Sequence, residues 1–173
     1  MSSRPQPDEY AGHFGRYIDG VPDGDVVALL ESQGNATQQL LASIAEEKGS
    51  FRYEPGKWSI KQVVGHITDA ERVFSYRLMA IARGEKQSLP GFEENDYVEA
   101  GNFDARPLAE LAEGLAATRR ATLALVRSLD DPAWDRRGVA SNNPISARAL
   151  AWVTAGHERH HVKILRERYG IAT

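Results

Sequence analysis

The segment Leu108–Leu129, LAELAEGLAATRRATLALVRSL, carries the clearest fold signal in the chain. Its apolar and small residues recur at alternating spacings of three and four, which places them on one face of an α-helix. The same alternation is typical of helices packed in a left-handed bundle. The residues on this face are Leu108, Leu111, Leu115, Thr118, Thr122, Leu125 and Leu129.

Three further segments show helical periodicity: Asp25–Lys48, Ser59–Arg83 and Ser146–Tyr169. The second begins with a capping box, because Ser59 is followed three residues later by Gln62. No segment alternates apolar and polar residues over a useful length, so we expect no substantial sheet. The sequence therefore predicts an all-α fold, a four-helix bundle.

The linker between the second and third predicted helices, residues 84–106, is longer than a bundle turn requires. We expect it to form a long crossover loop between helices 2 and 3, held across the bundle by its aromatic side chains. A chain of 173 residues suits one domain. We assign residues 23–170 to that single domain and residues 1–22 to an N-terminal extension.

The composition excludes several kinds of functional site and of binding partner. The chain has no cysteine, which excludes disulfides, iron–sulfur clusters and a thiol nucleophile, so any metal must be held by His, Asp or Glu. A net charge of −3 offers no basic surface for nucleic acid. No stretch approaches the roughly 18 apolar residues of a membrane span, and the first residues lack the apolar core of a signal peptide. We expect a cytoplasmic protein without a nucleic-acid or membrane partner.

The histidines are the residues that carry chemistry. His157 and His161 lie one helical turn apart on the apolar stripe of the fourth helix, so both imidazoles can reach one ion. His66 lies on the apolar stripe of the second helix and is the natural third ligand. A single inward histidine is more often a core residue bonded to a carbonyl, but three facing one core favour a shared metal ion. His160 lies at the edge of the stripe, and His13 is predicted at the surface.

The stretch HERHH, residues 157–161, also matches the H-E-x-x-H pattern of zinc peptidases, where the glutamate is a general base. Those enzymes take a third ligand from farther along the chain. The one acidic residue after His161 is Glu167, on the same helix, so it cannot complete the site. The peptidase interpretation is disfavoured, and Glu158 is predicted at the rim of the histidine site or facing solvent.

Three stretches resemble the DinB-like, or YfiT-like, family of four-helix-bundle metalloenzymes. They are GKWSIKQVVGHITDAERVFSYRLMAIARG, LPGFEENDYV and TAGHERHHVKILRERYG, in the family's order, and the likeness extends from about Asp25 to Tyr169. The family's histidine triad falls on His66, His157 and His161. The resemblance implies a divalent ion, zinc or nickel, with an open coordination position.

The same resemblance implies three functional hypotheses. The first is a thiol S-transferase that uses a low-molecular-weight thiol such as bacillithiol or mycothiol as co-substrate. The alternatives are a metal-dependent hydrolase and a non-catalytic binding module that the metal staples together. In the enzyme hypotheses the partner is a small-molecule substrate, and we expect a homodimer because such bundles often pair through a helical face.

Four more side chains are candidates for a role around the triad. Gln62 and Asp69, one turn before and after His66, are placed to orient its imidazole. Arg77, farther along the same stripe, is a candidate for contacting an acidic substrate, or for an ion pair with the acidic residues of the crossover loop, Glu93, Glu94 and Asp96. Glu158 is the fourth.

Overall fold

The computed structural model describes residues 3–172. Over these residues the chain forms seven α-helices and one antiparallel pair of short strands. The elements are α1 Gly12–Ile18, α2 Val26–Ala42, α3 Ile60–Ala82, α4 Glu94–Ala100, α5 Leu108–Arg127, α6 Asp131–Asp135, β1 Arg137–Ala140, β2 Asn143–Ser146 and α7 Ala147–Glu167. Single 3₁₀ turns occur at Pro7–Glu9, Glu46–Lys48 and Phe103–Ala105.

The four long helices α2, α3, α5 and α7 form the predicted four-helix bundle. α3 packs against both α5 and α7, and α2 packs against the same two helices from the other side. The two helices that come first in the bundle, α2 and α3, therefore lie diagonally opposite each other. The all-α prediction is confirmed, and α3 and α7, which carry the candidate ligands, are direct neighbours.

The helix caps explain the boundaries. Ser59 Oγ accepts a hydrogen bond from the backbone N–H of Gln62 at 3.0 Å, and Gln62 Oε1 accepts one from the N–H of Ser59 at 2.9 Å, so the predicted capping box starts α3. Ser146 Oγ caps α7 in the same way. The first bundle helix ends at Ala42 rather than at the predicted Lys48, and its last turn closes with 3₁₀-type bonds from the N–H groups of Ser43 and Ile44 to the carbonyls of Leu40 and Leu41.

The segment predicted as an N-terminal extension packs onto the bundle. α1 lies against α7, and its neighbourhood contributes Phe14, Ile18 and Val21 to the buried core. The close approach depends on Gly156, since a Cβ atom at that position would lie 2.1 Å from the carbonyl oxygen of Tyr17. The backbone of α1 thus covers α7 directly beside His157.

One small element was not predicted. β1 and β2 form a four-residue antiparallel pair in the register Arg137 to Ser146, joined through Ser141 and Asn142, which both adopt positive φ values of 51° and 62°. Two consecutive residues of this kind make the tight turn that matches the twist of a hairpin. Strands this short, one of them with a proline, leave no alternating pattern in the sequence.

The crossover between the second and third bundle helices is as long as predicted and partly helical. It contains α4 and the 3₁₀ turn whose Phe103 is buried against α3. A Cβ atom at Gly65 would lie 2.4 Å from the Phe103 ring, so the aromatic side chain sits directly on the helix backbone one residue before His66. Between residues 3 and 172, no helix has the length and apolar character needed to cross a membrane.

Candidate metal centre

The structure brings the three predicted ligands together. His66 lies in the second turn of α3, and His157 and His161 project from successive turns of α7 toward it. The Nε2 atoms of His66 and His157 are 3.0 Å apart, and one ligand atom from each of the three imidazoles lies within 4.8 Å of the other two. The triad is therefore assembled by the contact between two neighbouring helices.

The spacing fits a divalent ion. The Nε2 atoms of His66 and His157 lie at hydrogen-bond distance, 3.0 Å, and two nitrogen ligands about 2.1 Å from an ion would be about 3.0 Å apart at a right angle or about 3.4 Å apart at the tetrahedral angle, so a small movement of the rings admits an ion. Imidazole nitrogens suit zinc, nickel and other borderline divalent ions. The three imidazoles are therefore suitable ligands for a divalent ion of this group.

The protonation state of the triad also suits a metal. Burial lowers the pKa of His66 to about 4. Burial, followed by the neighbouring imidazole charges, lowers the pKa values of His157 and His161 well below the usual range. All three rings are therefore neutral at pH 7, the form that offers a lone pair to a cation.

Aromatic side chains enclose the site. The ring of Trp58 lies 4.7 Å from that of His66 and 6.4 Å from that of His161, centroid to centroid. Phe74 and Tyr17 approach His157 edge-on, each at 5.4 Å. His66 and His157 are only 2% and 4% exposed, so these rings hold the imidazoles in place and exclude water from most of the site.

A carboxylate that the sequence analysis did not connect with the triad lies at its edge. Glu94 Oε2, at the start of α4, is 3.9 Å from Nε2 of His66. Its side chain is 54% exposed, so it lies between the buried imidazoles and solvent. The one hint of this contact in the sequence is the acidic cluster of LPGFEENDYV. The cluster does not indicate which of its acidic residues lies close to His66, 28 positions before Glu94.

The other two histidines lie outside the triad. His160 is exposed and lines a groove between α1, α2 and α7, although its ring centroid is 5.1 Å from that of His161. His13 is exposed on α1, as predicted. Within residues 3–172, neither histidine belongs to the group of ligand atoms that converge at His66.

The two side chains proposed to orient His66 have other partners. Gln62 Oε1 accepts the N–H of Ser59 in the capping box, and Asp69 Oδ1 accepts from Arg72 Nη1 at 2.9 Å. Neither forms a hydrogen bond with the imidazole of His66 in the described part of the chain, so the structure gives this prediction no support. A spacing of one turn places a side chain on the same face of the helix as His66. The Gln62 oxygen, however, accepts the Ser59 N–H, and the Asp69 carboxylate accepts the Arg72 guanidinium.

Arg77 anchors the crossover loop. Its Nη2 donates to the carbonyl of Pro90 at 2.6 Å and to Ser141 Oγ at 3.0 Å, and its guanidinium lies 5.9 Å from the centre of the Phe92 ring. The side chain is 3% exposed. Within residues 3–172 the guanidinium pairs with a backbone carbonyl and a hydroxyl instead of with the acidic cluster, so the predicted ion pair is not formed, and the contact with an acidic substrate stays a prediction.

Glu158 is buried, contrary to the prediction. It is 1% exposed rather than at the rim or in solvent, and its Oε2 accepts from Arg119 Nη2 at 2.8 Å and from Gln33 Nε2. The helical wheel placed it off the apolar stripe, but α7 is covered by α1 and α2 as well as α3, which leaves that side of the helix buried. The second carboxylate oxygen, Oε1, is buried without a hydrogen-bond partner in the described residues.

Arg119 joins Glu158 to the rest of the bundle. The guanidinium makes a two-pronged contact with Glu71 at 2.8 and 2.7 Å and also donates to the Leu30 carbonyl at 2.8 Å. Burial alone would lower the pKa of Arg119, but the hydrogen bonds and charges of Glu71 and Glu158 raise it above its usual range. One cation on α5 thus contacts α2, α3 and α7.

The chain is similar to proteins described as metal-dependent enzymes. It is 25% identical over 136 residues, 77% of both chains, to an Oceanobacillus iheyensis protein named "Putative metal-dependent hydrolase". Its fold matches Bacillus subtilis YfiT, described as "a probable metal-dependent hydrolase with an unusual four-helix bundle topology", with a TM-score of 0.73, 18% identity and coverage of 97% of this chain and 94% of that one.

A second solved structure with this fold is the mycothiol-dependent maleylpyruvate isomerase, with a TM-score of 0.68 and 12% identity. The match covers 84% of this chain and 61% of the isomerase. The profile of the DinB superfamily matches residues 29–165, which include all four bundle helices over most of their length and all three histidines of the triad. The chain belongs to the DinB superfamily.

Proposed function

We propose that the protein is a divalent-metal-dependent enzyme whose ion is held by His66, His157 and His161. The observation that carries the proposal is the convergence of three neutral, largely buried imidazoles to within 4.8 Å. The Nε2 atoms of His66 and His157 contact each other, and His161 completes the group. One divalent ion would be a shared partner for all three neutral rings.

The arrangement favours catalysis over a structural staple. Structural sites close the ion with a fourth protein ligand, whereas catalytic sites keep a position open. Here the protein supplies three imidazoles from two helices, and the half-exposed carboxylate of Glu94 lies 3.9 Å from one of them, His66. When bound, the ion would act as a Lewis acid toward a substrate at the open side.

Within this class we favour a transferase that uses a low-molecular-weight thiol. The chain has no cysteine, so a thiol nucleophile would have to enter as a co-substrate. A protein of the same fold, the maleylpyruvate isomerase, depends on mycothiol, and this likeness in fold supports the choice of a thiol as co-substrate. The aromatic rings around the triad would position the thiol and keep water away, while the neutral histidines hold zinc or nickel.

A hydrolase is the second candidate. The Oceanobacillus iheyensis relative carries that description, and a half-exposed carboxylate beside the triad would serve water as well as a thiol. The two reactions need the same metal site and differ in the small molecule that enters it.

Elemental analysis tests the metal site. Protein purified without a metal-affinity tag should contain one equivalent of divalent metal, and His66→Ala, His157→Ala and His161→Ala should each lose it. His160→Ala is the matched control, since it changes a neighbouring imidazole outside the triad, and it should keep the metal. Full occupancy in His66→Ala would refute a site shared between α3 and α7.

A thiol screen separates the two reactions. Conjugation of monochlorobimane is followed with bacillithiol, mycothiol and other small thiols, with the His66→Ala protein as the background. Metal-dependent conjugation with one of these thiols is the expected result. If the metal-loaded protein turns over none of them, the hydrolase becomes the better description.

A further inference from the structure

We propose that the groove between α1, α2 and α7 binds a small organic anion with two negative charges, a dicarboxylate or a phosphate monoester. The groove has a volume of about 780 Å³, which lies within the usual range for small-molecule sites. Leu29 of α2 and Val162 of α7 line it and would contact the carbon skeleton of such a ligand. None of the three triad histidines lines the groove, so this site is separate from the metal centre.

Positive charge is concentrated in the groove. The charged residues that line it are Arg16, Arg159, Lys163, Arg166 and Glu167. Four positive charges and one negative give the groove +3, whereas the whole chain carries −3, so the residues outside the groove carry −6. A concave surface of one sign attracts a small ion of the other sign, while the negative charge elsewhere repels an extended polyanion such as nucleic acid. The charge distribution therefore favours a small anionic molecule.

Three of the four cations have no acidic partner within residues 3–172. Arg166 forms no hydrogen bond or ion pair there, and the hydrogen bonds of Arg16 and Arg159 go to neutral oxygens. The fourth cation, Lys163, has its Nζ atom 3.8 Å from Oε1 of Glu167, and both of these side chains are more than 60% exposed. The positive charge of the groove is therefore available to a ligand.

Two of the guanidinium groups are oriented by neutral neighbours. Nε of Arg159 donates to the carbonyl of Gly20 at 2.9 Å, which leaves both terminal nitrogens of Arg159 without a partner in the described residues. Nη2 of Arg16 donates to the hydroxyl of Tyr17 at 2.8 Å, and the guanidinium lies 4.6 Å from the centre of the Tyr17 ring. These contacts hold planar donors in place without neutralising them, which suits paired hydrogen bonds to carboxylate or phosphate oxygens.

The dipole of α7 does not explain this arrangement. Lys163 and Arg166 lie near the C-terminal end of the helix, where cations are favourable. Arg159, however, lies more than two turns before the last helical residue, Glu167, and Arg16 comes from α1. Cations from two helices therefore line one groove, as an anion site requires and helix stabilisation does not.

The test is isothermal titration calorimetry of the intact protein with two probes, succinate and phenyl phosphate. At about pH 7.5 both probes carry two negative charges, and low ionic strength keeps them from being screened. Succinamide, which has the succinate skeleton without its charges, is the control ligand. We expect a Kd of about 1 mM or tighter for at least one charged probe and no binding of succinamide. The probe that binds more tightly distinguishes a phosphate from a carboxylate ligand.

Arg159→Gln and Arg166→Gln should each weaken binding by about tenfold or more, because each removes a charge-assisted hydrogen bond to the anion. Arg168→Gln is the matched control. It removes the same charge from an exposed side chain just beyond the end of α7, and Arg168 does not line the groove. Its Kd should stay within about twofold of the wild-type value. All three substitutions affect exposed side chains, and thermal unfolding of each variant verifies that it is folded.

The same titration with His66→Ala separates this site from the metal centre. His66→Ala should bind the probes as the wild type does, because the groove shares no residue with the triad. Loss of binding in His66→Ala would mean that the anion coordinates the ion at the triad, and this result would overturn the proposal. So would equal weakening by Arg168→Gln and Arg159→Gln, which indicates a general effect of surface charge, or no binding of either probe. Absence of metal from the wild type would refute the proposed function and leave the groove titration unaffected.

Discussion

Replacing Arg119 by methionine should destabilise the protein far more than the same change one residue later. The Arg119 guanidinium is bonded to Glu71, Glu158 and the Leu30 carbonyl, and it is 5% exposed. Without it, two carboxylates remain buried on α3 and α7 with no cation. Methionine fills much of the volume, so the loss is mainly electrostatic.

Breaking a buried ion pair by removing one partner costs about 3–5 kcal/mol, because the remaining charge is left uncompensated. For a chain of this length each kcal/mol corresponds to about 2–4 °C in Tm, so Arg119→Met should lower Tm by about 6–20 °C. Arg120 is the control. Its pair with Glu113 joins side chains that are 64% and 69% exposed, and such a pair contributes about 0–1 kcal/mol.

The free energy of unfolding is measured by urea titration of the metal-free proteins, so that metal affinity does not enter the comparison. The triple variant Arg119→Met, Glu71→Gln, Glu158→Gln should recover part of the loss, since it also removes the two stranded charges. If Arg119→Met unfolds within about 1 kcal/mol of Arg120→Met, the buried network does not have the role that its geometry indicates.

Three further predictions follow from contacts of the site. Gly156→Ala should lower the free energy of unfolding by about 1–3 kcal/mol in the same urea titration, because its Cβ atom would lie 2.1 Å from the Tyr17 carbonyl oxygen. Gly114→Ala is the control: nothing lies within 4 Å of the new Cβ atom, so the variant should stabilise α5 by up to about 1 kcal/mol. The metal-free protein should lose stability as the pH falls from about 6.5 to about 4, because the pKa of His66 is about 4 in the folded state and near 6.5 in the unfolded chain. The expected loss in the free energy of unfolding from His66 alone is roughly 3 kcal/mol. A urea midpoint that stays constant over this pH range would contradict the prediction. Zinc at about 100 times its Kd should stabilise the wild type by about 2.7 kcal/mol, and calorimetry should show no such rise in Tm for His157→Ala.

Local signals in the sequence predicted the bundle because they act within one helical turn. The Ser59 and Gln62 cap placed the start of α3 correctly, and the alternating leucines of the third helix gave α5 nearly its full length. The β1–β2 pair escaped prediction because its turn depends on positive φ at Ser141 and Asn142, which no periodicity records. The end of α2 was placed too late because the helical apolar spacing continues to Ile44, beyond the last helical residue, Ala42.

The histidine triad could be predicted because two of its members share a helix face and the third is the only other inward histidine. The acids could not be assigned in the same way. A helical wheel gives the direction of Glu158 relative to α7, but it does not say that α2 covers that direction or that Arg119 reaches it from α5. The approach of Glu94 to His66 depends on the path of the whole crossover loop, which no local pattern determines.

Two adjacent residues of α7, His157 and Glu158, require opposite charge states. His157 must stay neutral to hold a cation, and burial lowers its pKa, while Glu158 next to it is an acceptor for the buried guanidinium of Arg119. Because adjacent residues on a helix point about 100° apart, one register of α7 satisfies both, with the imidazole toward α3 and the carboxylate toward α5. A rotation or slip of α7 that moved His157 away from His66 would also pull Glu158 from Arg119. The ion-pair network therefore ties the geometry of the metal centre to the packing of all four bundle helices, and loss of Arg119 should weaken metal binding even though the guanidinium is not a ligand.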